Sequence, residues 1–339
     1  MEKESRREAQ QVIKKNKKHR KRRWVLLTVL AIVLAGAGSA IAYSMHVINP
    51  QTHFSHLKTI GSSKKALSGY KERSGVLNIL LIGSDQRKKH PQGHTDSILL
   101  VHADLNHHRY NVLSIPRDTR VYMKGVGYTK LTSVQFLGQV KNGTKAGIMD
   151  AVAAVSNLTG VPINYYAETN YWGFRSMVDA LGGISMKVPF NVTLTHPWNK
   201  KYKNMVIKKG THELNGTMVS EVVHERDSLP GTDFGRQRMQ EEALIGIANK
   251  VMQPANLTKL PALSRSMSKF LIATNLSTSD MISLGLGVKS DYHPRKQIHY
   301  FQLKYQNVVM LDDALQAQND EVVLDTQQLQ QIIQQNFMN

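Results

Sequence analysis

No cysteine occurs anywhere in the 339 residues. Its absence excludes disulfide bonds, thiolate nucleophiles and cysteine-ligated zinc together, so a domain outside the cytoplasm would have to be held by its core alone. That condition suits a bacterial envelope protein better than an animal secretory one. Acidic residues are also scarce: 25 Asp and Glu face 44 Lys and Arg, a formal net charge of +19. Hydrophobic residues, by contrast, reach 41%, which is ample for a core and excludes an intrinsically disordered chain. A third absence is local. From Trp24 to Val47, WVLLTVLAIVLAGAGSAIAYSMHV, no side chain is ionised at neutral pH.

A helix needs about 20 apolar residues to cross the hydrocarbon layer, and this run supplies them, so residues 24–47 are expected to span a membrane. The 23 residues before it carry eleven Lys and Arg against three Glu. A basic flank stays in the cytoplasm, which gives a single-pass type II arrangement in the cell membrane with everything beyond residue 47 outside. The competing reading, a cleaved signal peptide, finds support in the small residues of GAGSAIA but is opposed by the length of the apolar run. The basic tail could also suggest nucleic-acid binding. No helix-turn-helix pattern or aromatic-rich basic sheet accompanies it, so nucleic acid is not an expected partner. The rest of the chain keeps 33 Lys and Arg against 22 Asp and Glu, a surplus that favours anionic ligands such as phosphates, diphosphates or acidic glycans.

Residues 48–75 are polar without a sustained apolar period and read as a stalk. From Val76 the pattern changes. VLNILLIGS, SILLVHADL and YNVLSI are short apolar runs of the kind that form buried strands, and HHR between the last two supplies a hairpin turn. Helical spacing follows in KAGIMDAVAAVSNL, with Thr144 as its expected cap, and in YWGFRSMVDA, where Phe174, Met177, Val178 and Leu181 share a face expected to be ordinary core. The Gly182–Gly183 pair ends that helix. The longest predicted helix is Phe234–Met252, and Asp325 is placed to cap the C-terminal TQQLQQIIQQNF. Strands and helices in alternation predict one α/β domain over 76–339, although IHYFQL could open a small separate module.

Ionisable groups gather at the ends of the first strands: Asp85 and Arg87 after LLIG, His94 and Asp96 before ILLV, Arg117 and Asp118 after LSI. Ligands of open α/β sheets collect at strand ends. Two carboxylates can hold a hard cation such as Mg²⁺, arginines can take diphosphate oxygens two at a time, and a further carboxylate can remove a proton from a hydroxyl. That is equipment for phosphoryl transfer. In a second cluster, VVHERDSLPGTDFGRQRMQ, a strand or helix end bearing His224 and Arg226 enters a Pro-Gly turn, and Arg236, Arg238 and Gln240 then open a helix, where cations oppose the macrodipole unless an anion lies between them. No His-Glu-x-x-His pair or Gly-x-Ser-x-Gly elbow occurs, and GQVKNGTK departs from the phosphate-loop spacing.

NILLIGSDQR, HTDSILLV, VLSIPRDTRV, KLTSV, HELNG and DFGRQRMQ, in this order over about 76–250, resemble the LytR-CpsA-Psr proteins of bacterial cell-wall assembly. The resemblance implies a three-layer α/β/α domain with a mixed central sheet that binds a polyprenyl diphosphate, lipid in an apolar channel and head group on arginines. It also implies metal-dependent transfer of a polyprenyl-diphosphate-linked anionic glycopolymer (teichoic acid, capsule or exopolysaccharide) to a peptidoglycan hydroxyl, outside the membrane of a Gram-positive-type cell. By motif position, Asp85 and Asp96 would hold Mg²⁺ or Mn²⁺. Arg117, Arg226, Arg236 and Gln240 would hold the diphosphate, with Arg87, His94, Lys130 and His224 as further contacts, and Asp118 would be the base or a positioner of the arginines. The family usually carries arginine where this chain has His94, His224 and Met239. Those departures keep open a non-catalytic lipid-diphosphate binder of regulatory function. A Golgi-type glycosyltransferase is a remoter reading, for no Asp-x-Asp motif is present.

Overall fold

The computed structural model describes residues 49–60, 70–87, 90–257, 260–267, 269–288 and 293–338. The basic tail and the expected membrane span lie outside them, and among the described residues no helix is long and apolar enough to cross a membrane.

Strand β1 (Val76–Ser84) is buried along almost its whole length, as its unbroken apolar run requires of a strand covered on both faces. A hairpin pairs β2 (Thr95–Asp104) with β3 (Arg109–Ser114), turning where the Asp104 carboxylate accepts from the Asn106 and His107 amides at 3.0 and 3.1 Å. A second hairpin, β4 (Arg120–Met123) and β5 (Gly127–Lys130), leads into helices α1 (Leu131–Asn142) and α2 (Thr144–Thr159), and these carry the chain to β6 (Tyr165–Asn170), parallel to β1. Then come α3 (Tyr171–Ala180), β7 (Ile184–Val188), β8 (Val192–Thr193), β9 (Val206–Ile207), β10 (Gly210–Leu214), α4 (Gly216–His224) and α5 (Asp233–Val251). After two short helices the chain forms β11 (Ala273–Thr274), α6 (Thr278–Val288), β12 (Ile298–Gln302), the hairpin β13 (Tyr305–Asp312) and β14 (Ala317–Leu324), and α7 (Thr326–Asn336).

The central sheet runs β11-β6-β1-β2-β3-β12 and is mixed, with parallel pairs β1/β6 and β3/β12 and antiparallel pairs elsewhere. Because side chains alternate along a strand, Leu80 and Ile82 of β1 meet Val152 and Val155 of α2 and Ile333 of α7 on one face. Leu77 and Ile79 meet Phe54 and, from α6, Leu284 on the other. Helices therefore cover both faces. A third apolar cluster, around Val178, Met186, Val219 and Met239, binds α3, β7, α4 and α5 together beyond the sheet.

Several sequence expectations change. Phe54 is fully buried and the Ile60 amide donates to the Ile163 carbonyl at 2.8 Å, so the described part of the supposed stalk packs on the domain, whose compact unit begins at Pro50. Thr144 is the first residue of α2 rather than its cap; Gly143 holds that position at φ 87° with no side-chain bond. IHYFQL is no separate module, since β12 joins the central sheet beside β3. Asp325 does cap α7, accepting from the Gln328 amide at 3.0 Å.

Candidate active site

Alternating strand direction decides what meets. β2 runs antiparallel to both β1 and β3, so the exit of β1, the entry of β2 and the exit of β3 share one edge of the sheet. Asp85, Asp96 and the Arg117–Asp118 pair sit there. Arg117 donates through Nη1 to Asp96, its Nε lies 3.7 Å from Asp118 Oδ2, and Lys130 Nζ lies 3.4 Å from Asp118 Oδ1. Burial works against the Arg117 charge, but Asp96 and Asp118 outweigh it and raise its pKa. Burial also opposes ionisation of Asp85, yet hydrogen bonds and charge from His94, helped by Arg87, hold its carboxyl below the usual range. The His94 amide donates to Asp85 Oδ1 at 2.7 Å, and its ring stacks on Phe136. Gly93 makes this loop possible: a Cβ there would stand 2.7 Å from Ser84 Oγ and 2.9 Å from Asp85 Oδ1.

The second cluster converges on the same edge. Arg236, in the first turn of α5, is nearly buried against Asp233, whose other oxygen accepts from Gln237 Nε2 at 2.7 Å. Burial lowers the Arg236 pKa; Asp233 resists this, and the charges of Arg117, Asp96 and Arg226 all reach it. Among the described residues, neither the buried Nε of Arg117 nor that of Arg236 has a hydrogen-bond partner. Each arginine is thus matched by an aspartate yet keeps one buried donor for a further acceptor, as an incoming phosphate oxygen would be. Burial pushes the pKa of His224, closing α4, below the usual histidine value, against Asp96 and with Arg236, which disfavours the charged imidazolium. Gln240 accepts from Ser97 Oγ at 3.1 Å. Arg226 is half-exposed beside Asp227. Arg238 turns outward to Glu241 and Glu242 and stays apart from the cluster. Met239 is fully buried in the third apolar cluster, so its side chain fills core.

Behind this edge lies a cavity of about 520 Å³. Its walls are apolar, with Leu81 and Leu99 from the sheet, Phe174 and Met177 from α3, Ile247 from α5 and Leu284 from α6, while Asp85, Asp96, His224 and Gln240 stand at its polar end. The face of α3 expected to be ordinary core is thus divided: Val178 and Leu181 are core, but Phe174 and Met177 line the cavity. A smaller recess of about 200 Å³ near Tyr70 and Arg73 lies at the start of β1, away from the charged edge.

Sequence reasoning missed the rim. Trp198 stacks near Tyr171 at 4.9 Å, Trp172 at 5.4 Å and His224 at 5.4 Å, and the Arg87 guanidinium covers its ring at 5.1 Å. The available signal was rarity, since two of only three tryptophans in the chain meet here.

The LytR_cpsA_psr family description matches residues 43–337. The chain belongs to this family. It is 26% identical over 295 residues to the polyisoprenyl-teichoic acid–peptidoglycan teichoic acid transferase TagU of Bacillus subtilis, covering 86% of this chain and 89% of that protein. With the B. subtilis transferase TagT it shares 26% identity over 323 residues, 89% and 97% of the two chains. Among solved structures it is similar to B. subtilis TagV, with TM-score 0.63 at 21% identity over 80% of this chain and 98% of that one. TagT bound to LI-WTA gives 0.61 at 24% identity over 81% and 96%. At these identities the structural likeness establishes the LytR_cpsA_psr fold.

Proposed function

We propose that this protein transfers an anionic glycopolymer from a polyprenyl diphosphate to a peptidoglycan hydroxyl through a phosphodiester bond. The carrying observation is the juxtaposition of Arg117 and Arg236, each with an unused buried donor among the described residues, and the polar end of an apolar cavity. A diphosphate on a lipid answers both halves, and the relatives TagU and TagT are named as polyisoprenyl-teichoic acid–peptidoglycan teichoic acid transferases. The anchor at residues 24–47 would hold the domain outside the cell membrane.

In this reading the lipid tail occupies the cavity and the diphosphate takes the donors of Arg117 and Arg236, with Lys130, Arg226, Gln240, Arg87, His94 and His224 around it. The acceptor hydroxyl attacks the phosphorus next to the polymer. A new P–O bond forms to the acceptor, the bridging P–O bond breaks, and polyprenyl phosphate leaves with the electron pair. Preorganised cations are worth most in such a half-buried site, where charge is redistributed over phosphate oxygens. Asp118 lies between Arg117 and Lys130, so it positions both cations. Once they turn to the diphosphate, its carboxylate is free to accept the hydroxyl proton.

Among the described residues no group of three or more His, Asp or Glu could hold a metal. Asp85 and Asp96 fit a cation that arrives with its substrate, since Mg²⁺ and Mn²⁺ are commonly held by one or two carboxylates and completed by phosphate oxygens and water. Such an ion would neutralise phosphoryl charge.

The test is the full chain with a polyprenyl-diphosphate-linked oligosaccharide and peptidoglycan, with and without Mg²⁺ or Mn²⁺, read by mass spectrometry. Phosphodiester-linked product and released polyprenyl phosphate are expected, and both should vanish in Asp96→Ala and Arg117→Ala. Lipid that binds without either product would establish the regulatory binder instead, a reading favoured by His94, His224 and Met239 at positions where the resemblance leads one to expect arginine.

A further inference from the structure

From Leu181 to His212 the sequence contains no Asp or Glu, yet Lys187, Lys200, Lys201, Lys203, Lys208 and Lys209 all fall within it. All six are exposed, and among the described residues none lies within ion-pair reach of a carboxylate. The cations of the cleft behave differently: Arg117, Arg226 and Arg236 each face an aspartate. Uncompensated like charges repel one another and destabilise the state that gathers them. Five of them, Lys200 to Lys209, sit on a small lobe with its own pairing, Val192 opposite Ile207 and Thr193 opposite Val206, and Lys187 lies next to it on β7.

The lobe joins the cleft directly. The amides of Trp198 and Asn199 donate to the buried Glu221 carboxylate at 2.8 and 3.0 Å, and Tyr171 Oη donates to it at 3.1 Å. Trp198 stands against Arg87 and His224, and Lys200 and Lys201 follow it by two and three residues. The run of lysines therefore starts where a bound diphosphate would end.

We propose that this lobe is a binding surface for the repeating anionic groups of the polymer, separate from the diphosphate site and adjoining it. The inference rests on the transfer reading and extends it, from the linkage to the chain beyond it. An anionic membrane is the other polyanion that such a patch could meet, and the placement argues against it. The chain enters the domain at Phe54, packed on Leu77 at the start of β1, whereas the lobe lies beyond the end of β1. Nine residues of strand separate those ends by about 30 Å, and the apolar cavity lies along the strand between them, from Ile79 to Asp85. Lipid and polymer leave the diphosphate in opposite directions.

The experiment uses the full chain in nanodiscs of zwitterionic lipid, with a fluorescent poly(glycerol phosphate) that carries no lipid and a neutral dextran of equal length. Wild-type protein is expected to bind the anionic chain and not the dextran, more weakly as salt rises, because exposed charges are screened over about 8 Å at physiological ionic strength. The variant K200Q/K201Q/K208Q/K209Q should lose roughly tenfold or more of that affinity, with an unchanged melting temperature and unchanged turnover of a donor that carries only a disaccharide. Equal polymer binding by variant and wild type overturns the proposal. So does loss, in the variant, of co-sedimentation with phosphatidylglycerol vesicles while polymer binding stays the same. Failure of the wild type to turn over the short donor would count against the transfer reading alone, since polymer binding is measured without it.

Discussion

Asp96→Asn isolates the electrostatics of the cleft. The amide keeps the shape of the side chain but removes the anion that Arg117 grips and that Arg236 and His224 also feel. An exposed ion pair contributes about 0–1 kcal/mol, while stripping one partner from a buried pair costs about 3–5 kcal/mol. Asp96 and Arg117 are 33% and 30% exposed, so the loss should fall between, at about 1–3 kcal/mol. For a domain of this size that corresponds to a fall in Tm of roughly 2–8 °C. The assay is thermal unfolding of the full chain in detergent with chelator present, so that no divalent cation contributes. Inorganic pyrophosphate supplies the second half: it should restore the variant by more than it stabilises the wild type, because it replaces the missing negative charge. Saturation at about 100 times the Kd yields about 2.7 kcal/mol, enough to be read clearly. A variant as stable as wild type, or the same pyrophosphate gain in both proteins, would refute the claim that Arg117 and Arg236 exchange their aspartate for a phosphate anion at one site.

Met186→Ala, in the fully buried cluster, should lose about 2–5 kcal/mol of stability by denaturant unfolding. Met177→Ala, at the cavity wall, should lose about 1 kcal/mol or less while weakening binding of long polyprenyl phosphates more than short ones. Burial holds the folded pKa of His224 below 6.5. As pH falls below 6.5 the unfolded chain takes up the proton first, so this residue's contribution declines with falling pH down to the folded pKa and is fully present above 6.5. Wild type should therefore lose stability relative to His224→Gln over that window, and pyrophosphate should move the His224 NMR titration upward. Arg117→Lys should leave the fold intact but lower kcat sharply, since an ammonium cannot span two phosphate oxygens as a guanidinium does.

The charged edge was legible because its residues flank strands. Asp85, Asp96 and Arg117 each stand within three residues of a strand end, and antiparallel pairing of three consecutive strands brings such positions together whatever lies around them. The arginine-rich start of α5 was legible for a similar reason, since cations in a first turn need an anion. The cavity was not. Helical periodicity reports that Phe174, Met177 and Val178 avoid water, and a side chain facing an enclosed space avoids water as well as one facing protein. The Trp172–Trp198 rim depends on two residues 26 positions apart meeting across separate elements, and no local pattern encodes that. Phe54 was hidden by its neighbours: one aromatic in a polar stretch carries no period, yet it fills a hole against Leu77 and Tyr110.

Glu221 has a consequence for how such a protein can diversify. One carboxylate on α4 collects Tyr171 from α3 and the two amides through which the 189–210 loop departs. The same loop is held a second time where the Thr195 amide and hydroxyl donate to Glu225 at 2.7 and 2.8 Å, and a third where Val192, Leu194 and Ile207 join the apolar cluster around Met186. Its exposed lysines can be exchanged for other residues while these fastenings keep its exit fixed. Polymer chemistry and transfer chemistry are thereby free to evolve at different rates, with Glu221 and Glu225 on one helix end as the fixed joint between a variable surface and a constant frame.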